Sequence, residues 1–307
     1  MKRFAVLIVL LSLAGCHEVR RAPAASSSAP AASPAPQGVF DNHAQVWQAH
    51  ETAPGAVPPP HVSVVIEATD QADWTIWQVR LDATPPIEAL WAMHAVAQSD
   101  GTQALVPHRA LVATPVAAPK FNAQEWAALD ACTLRTAVRS QGSAALSADT
   151  TACAAIAPGV GAQAALLPLG IEREGEWLHV RLYADQARGA DAREDLRLMR
   201  WFGGWAAVNG GGPKADAGSR DWHMDRNLRI GSEGGRYALR WRDGSASGYS
   251  LMLERLTYRE GNVPVLKLSV VSDADGTTLA YAWANPEATR IGINLGWVQV
   301  GLEAIEK

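Results

Sequence analysis

The strongest constraint on this chain is period-two alternation of apolar residues, broken at even intervals by turn chemistry. Tyr237, Leu239 and Trp241 alternate with Ala238, Arg240 and Arg242, and Asp243-Gly244 follows as a turn. Residues 249–258 make the next run, and Glu260-Gly261-Asn262 the next turn. Leu266, Leu268 and Val270 share an inward face, and residues 273–276 turn the chain again. Leu279, Tyr281 and Trp283 alternate with Ala280, Ala282 and Ala284, Asn285-Pro286 breaks the run, and Ile291, Ile293, Leu295 and Trp297 read as one last long strand. A strand every ~10–15 residues with turns between predicts an antiparallel sheet or barrel.

The first half carries the same signal. Residues 61–66 hold the β-branched core of a buried strand. Along 74–81, Thr75, Trp77, Val79 and Leu81 line one face, with Trp74, Ile76, Gln78 and Arg80 on the other, until Pro85-Pro86 ends the run. Residues 90–97 fit a strand or a helix; Asp100-Gly101 is a turn, and 105–113 a returning strand. In 121–129, Asn122 as N-cap, Glu125 three residues on, and Trp126 and Leu129 on one face predict a short helix. A strand over 131–139 and a turn at Gly142 follow. Leu178, Val180 and Leu182 alternate with Trp177, His179, Arg181 and Tyr183. Charged residues 191–200, with Leu196 and Met199 three apart, read as a short helix or connector. The expected fold is mainly β: an antiparallel barrel over 38–185, then a second antiparallel β-meander domain over 190–307, with one or two short helices.

The amino-terminal stretch has a different character. Lys2 and Arg3 precede an apolar run of about ten residues, half the ~20 that a bilayer span needs. It ends in Leu13-Ala14-Gly15-Cys16, which resembles the lipobox of bacterial lipoproteins. The resemblance implies a signal peptide over 1–15, cleavage after Gly15 and acyl chains on Cys16, which hold the protein to the lipid bilayer at ~0.8 kcal/mol per buried CH₂. Residues 16–37, rich in Ala, Pro and Ser, read as a tether. His17, in place of the Asp that retains enterobacterial lipoproteins in the inner membrane, points to the outer membrane, facing the periplasm.

In that oxidising compartment Cys132 and Cys153 are expected to form a disulfide, closing about 20 residues and stabilising by roughly 3 kcal/mol. A catalytic thiol and a metal ligand are the alternatives, but neither cysteine has a sequence-local His, and the chain lacks Cys-x-x-Cys and His-x-x-x-His. No metal and no cofactor are expected. A net charge of −4 without a basic stripe argues against nucleic acid. The Gly-rich residues 209–218 lack the Gly-Lys-Ser/Thr ending of a phosphate loop and read as a hairpin or barrel-lip loop. Asp221, His223 and Asp225 bring acid and base close in sequence without a Gly-x-Ser-x-Gly elbow, so a structural role is preferred. Twelve tryptophans are read first as core and second as a ligand platform. Trp74, Gln78 and Arg80 on one strand, and Trp177, His179, Arg181 and Tyr183 on another, mix aromatic and cationic groups. Such faces suit a small amphiphilic ligand with a flat apolar body and an acid, or else form a solvated barrel exterior.

Gly38, Phe40, Asn42 and Gln45 spell Gly-x-Phe-x-Asn-x-x-Gln, Leu129-x-x-Cys132 ends the short helix, and a second cysteine stands 21 residues on. Over 38–183 this pattern resembles the CpeT/CpcT family. The resemblance implies a lipocalin-like, calycin-type barrel and, as in some members, attachment of bilin chromophores to phycobiliprotein cysteines. The chain departs from the family at Leu90-Trp91-Ala92-Met93-His94, where members carry an aromatic- and Arg-rich segment. The expected function is therefore a membrane-anchored, small-ligand-binding or envelope-associated module without catalysis; chromophore lyase is the alternative.

Overall fold

The computed structural model describes residues 36–112, 120–138, 144–216, 218–258 and 263–305. The signal-like segment, Cys16, most of the tether, and the turns at Gly142 and at 260–262 lie outside the described residues.

Eleven strands form the first sheet: β1 (Gly38–Asp41), β2 (Val62–Ala68), β3 (Trp74–Leu81), β4 (Ile87–Ala97), β5 (Gln103–Ala110), β6 (Trp126–Ala128), β7 (Leu134–Val138), β8 (Ala144–Ser147), β9 (Pro168–Glu174), β10 (Trp177–Leu182) and β11 (Glu194–Leu198). Their order is β4-β3-β2-β1-β11-β10-β9-β8-β7-β5, and pairing of β5 with β4 closes a ten-stranded antiparallel barrel, to which β6 adds on β5. Alternation sends Phe40, Val62, Val64, Ile66, Trp77, Val79, Leu178 and Val180 inside. The interior is filled with side chains: Trp77, Trp91, Phe40 and Met93 are fully buried. A 3₁₀ turn at Gly161–Leu166 closes on this core, and the Trp91 indole donates to the Leu166 carbonyl at 3.1 Å. Because a ring N–H buried without an acceptor costs ~1–3 kcal/mol, that bond fixes where the turn sits.

Two α-helices occur among the described residues, α1 (His43–Thr52) and α2 (Thr150–Val160). Asp149 caps α2 by accepting from the Thr151 and Ala152 N–H groups at 2.9 and 3.1 Å. The expected disulfide is present, joining Cys132 to Cys153 of α2 inside the core.

The second half is an eight-strand meander: β12 (Trp201–Asn209), β13 (Trp222–Gly231), β14 (Glu233–Arg240), β15 (Ala246–Thr257), β16 (Pro264–Ser272), β17 (Thr278–Ala284), β18 (Arg290–Asn294) and β19 (Val298–Ala304). It forms two four-stranded antiparallel sheets, β13-β12-β19-β18 and β14-β15-β16-β17, around one core that includes Phe202, Leu228, Leu253, Leu268 and Leu302. The last strand, β19, returns to pair with the first, β12.

One open reading from the sequence is settled and three change. Residues 90–97 are strand, as part of β4. The helix expected over 121–129 is one 3₁₀ turn, Ala123–Glu125, capped by Asn122; Trp126–Ala128 then leaves as β6, because pairing with β5 satisfies more backbone than another helical turn. Residues 194–198 are strand, not helix or connector, with Leu196 in the core and Glu194 and Arg197 buried by ion pairing. The last long strand is a hairpin: Gly296, at φ 82°, turns the chain between β18 and β19.

The seam between the first barrel and the meander is ionic. Glu233, fully buried, accepts from Arg197 Nε and Nη2 at 3.0 and 2.7 Å and from Arg255 Nε at 2.7 Å. Arg255 also bonds Glu176 at 2.7 Å and the Leu198 carbonyl at 2.7 Å. His43 on α1 meets Glu254 at 2.9 Å, and Lys267 reaches the same carboxylate at 3.4 Å. Burial pushes the Glu254 carboxyl up, but the hydrogen bond and charge of His43, with the charge of Lys267, outweigh it and hold it below its usual value. Gly234, at φ 73°, passes so close to His43 that a Cβ would sit 2.5 Å from Nδ1.

Candidate functional site

The alternation of β3 and β10 places every singled-out side chain except Tyr183 on the outside of the barrel, since Trp77, Val79, Leu178, Val180 and Leu182 take the inside. Trp74 is nevertheless covered: His94 stacks on it at 4.2 Å, and His108 and Phe121 close in at 4.6 and 4.9 Å. Burial there lowers the pKa of His108. Arg80 pairs with Asp82 at 3.0 Å and Glu88 at 3.1 Å on an exposed surface, and Gln78 is exposed beside it. Tyr183 packs against the core at the start of a 3₁₀ turn. In the sheet, β2, β1 and β11 lie between β3 and β10, so the two expected clusters do not make one site.

The β10 cluster divides over two adjoining grooves. Arg181 faces one of ≈380 Å³, bounded by Leu146, Gly170, Glu172 and Arg193, where its Nε is buried without a hydrogen-bond partner. Trp177 and His179 face a second, of ≈430 Å³, at the seam between the first barrel, α1 and the end of β15. There the rings of Trp177 and His179 lie parallel, 6.4 Å apart and 5° from coplanar. The Arg197 guanidinium sits 5.1 Å over the Trp177 ring, held by its bonds to Glu233. His179 Nδ1 meets Asp195 at 2.5 Å, and Asp195 also takes Arg193 Nε at 2.9 Å. Gln48 of α1 and exposed Glu174 complete the walls. Sequence reasoning missed Arg197, Asp195, Gln48 and Glu174. The first two stand on β11, whose buried charges hide its strand period.

The Gly-x-Phe-x-Asn-x-x-Gln residues stand beside this seam and have structural partners. Phe40 is core. Asn42 donates to Glu194 at 2.6 Å and the Pro60 carbonyl at 2.8 Å, and accepts the Val62 N–H at 2.7 Å. Gln45 accepts the Asp195 N–H at 3.2 Å and donates to the Arg193 carbonyl at 3.0 Å. The motif thus staples α1 and β1 to β2 and β11. Around it, His61 bonds Asp41 at 2.8 Å and Asp82 at 2.7 Å; these carboxylates raise its pKa to about 9. Burial and the nearby Asp185 charge push Glu194 up to about 7, against the opposing pull of Arg188.

At the far end of the meander, His223 and Asp225 lie along β13. Asp225 accepts the Tyr237 hydroxyl, which holds the carboxyl down, while burial and that same bond push Tyr237 up to about 12. Asp221 pairs with Arg242 at 3.0 Å. The first contact ties β13 to β14, and the second ties the β12–β13 connection to the β14–β15 connection. The Gly-rich stretch forms the β12–β13 connection, with a 3₁₀ turn at Gly212–Lys214. Among the described residues, no group of three or more His, Cys, Asp or Glu side chains is arranged to hold a metal ion. No family model, curated protein or solved structure matches this chain.

Proposed function

We propose that this protein is a lipid-anchored envelope module whose folded part binds a small amphiphile in the seam groove. The observation that carries the reading is the Trp177 ring, presented in a ≈430 Å³ groove with Arg197 fixed over it and His179 parallel to it. Sites of this kind favour junctions between packed units, combining apolar walls with a few oriented polar groups. Both cores are packed with side chains, which favours a ligand held on the outside over one enclosed as in a lipocalin. The groove also refines the ligand's chemistry. Arg197 is paired with Glu233, whereas Glu174, 3.9 Å from His179 Nε2, keeps most of its surface exposed at the rim, which favours a ligand whose polar end donates hydrogen bonds, as a hydroxyl or ammonium does. An acid, expected from the arginines alone, meets repulsion there.

The anchor reading rests on Leu13-Ala14-Gly15-Cys16. Metabolic labelling with an alkynyl fatty acid should mark the wild-type chain and leave Cys16→Ser unlabelled; equal labelling of both sinks it. For the groove, native mass spectrometry of full-length protein extracted from envelopes should reveal a small adduct that is lost in Trp177→Ala. A bare mass, beyond any acyl chains, counts against the binding reading.

A further inference from the structure

Three features outside the seam groove carry chemistry: the Arg181 groove, the Asp225–Tyr237 end of the meander, and an aromatic ridge on β17. The ridge carries an inference furthest. Cross-strand register places Ala280, Ala282 and Ala284 opposite the inward Val270, Leu268 and Leu266, so the large residues of β17 point outward. Leu279, Tyr281 and Trp283 are 45%, 54% and 55% exposed at successive outward positions. A solvated sheet face calls for polar residues there, and the core is already filled by β16.

The ridge continues through ring contacts. Tyr281 and Trp283 are 5.1 Å apart, Trp283 and Tyr258 5.3 Å, and Tyr258 and Trp47 of α1 5.2 Å. Val263, 57% exposed, stands beside Tyr258, whose N–H it accepts. The rings meet at 24°, 50° and 72°, so no coplanar platform exists for a flat solute or a row of sugar rings. A fluid apolar medium needs no coplanarity. Trp and Tyr, with an apolar body and a polar tip, favour a boundary that is wet on one side only.

We propose that this ridge docks into the headgroup–acyl boundary of a bilayer. The inference rests on the anchor reading, which supplies the surface. If residues 16–37 are the tether that their Pro/Ala/Ser composition suggests, a chain of that length spans on the order of 25–60 Å and keeps the folded part near the membrane. Tethering makes docking intramolecular, so a modest intrinsic affinity suffices. With a net charge of −4, docking proceeds by apolar insertion and resists salt.

The test uses full-length protein purified from envelopes and reconstituted into phosphatidylcholine vesicles carrying lipids brominated high on the acyl chain. Bromolipid should quench part of the tryptophan emission, at low and high salt alike, and that part should vanish in Trp283→Phe. Tyr281→Ser combined with Trp283→Ser should lose hydrogen-exchange protection along 278–284 by on the order of tenfold. Intact mass reports acylation separately. If the protein is acylated but quenching is absent or equal in wild type and Trp283→Phe, the ridge proposal falls and the anchor stands. If Cys16 is unmodified, the anchor reading falls, and the same vesicles added to the full-length chain decide the ridge: quenching confined to wild type supports it, none overturns it. A concentration-dependent dimer without lipid, lost in Trp283→Ser, assigns the ridge to a second copy and overturns the proposal.

Discussion

Replacing Glu233 with Gln tests the seam most sharply. The side chain has no exposed surface, and its two oxygens take Arg197 Nε and Nη2, Arg255 Nε and the Ser232 hydroxyl, all between 2.7 and 3.0 Å. Gln keeps the shape and removes the charge, leaving buried Arg197 without its ion-pair partner and buried Arg255 with Glu176 alone. Breaking a buried pair in this way costs ~3–5 kcal/mol, because the cations stay desolvated. For a chain of this size that is a fall of roughly 6–20 °C in midpoint. Urea denaturation followed by tryptophan emission, with calorimetry, measures it. Three further outcomes follow from the same physics. Glu233→Met with Arg255→Met should cost less than the sum of the single changes, since the pair is removed together. Salt should alter the loss little, because the groups are buried. Trp177 should respond along with the meander, because Arg197 links them. A loss below about 1 kcal/mol, or additive single changes, refutes the view that the seam is held by this network.

Cys132→Ala with Cys153→Ala should destabilise by about 3 kcal/mol, the loop-entropy value for the 21-residue separation, read as a lower urea midpoint; an unchanged midpoint refutes it. Trp91→Phe should cost ~1–3 kcal/mol by orphaning the Leu166 carbonyl, and the loss should show as faster amide exchange along 161–166. Stability should fall with pH in two windows. Glu194, whose folded carboxyl is pushed up to about 7, costs stability as the unfolded chain ionises ahead of it between about pH 4.5 and 7. His61, charged when folded up to about pH 9, stabilises fully below 6.5 and loses its contribution between 6.5 and 9, on the order of 1–2 kcal/mol after solvent screening. His61→Gln should remove the upper window in melts from pH 4 to 9.5; a flat profile across that range in wild type argues against both assignments.

The fold was legible wherever one face is apolar and the other polar. Residues 74–81 and 177–182 could be assigned to strands, and their two faces told apart, from alternation alone. Where both faces are buried the signal failed. Strand β11 carries Glu194 and Arg197 at positions that read as solvent-facing but are buried through partners far off in sequence. Helix α2 carries a clear Asp149 cap yet was not foreseen, because its Ala-rich run shows little apolar period. The candidate site was half legible: Trp177 and His179 were found, while Arg197 and Asp195 went unnoticed with their strand.

The sequence by itself determined that this chain is β-rich and antiparallel and that Cys132 and Cys153 lie where a disulfide can form. Those properties follow from local spacing. Only the tertiary structure decided which faces turn inward at β17, that ten strands close on a filled interior, and that Trp177 and Trp74 serve different surfaces. The physical reason is that alternation marks two faces without saying which is covered. Coverage depends on what packs against the strand from elsewhere in the chain. At β17 the alanines turn in because β16 already fills the core, and the tryptophan and tyrosine are left to the outside.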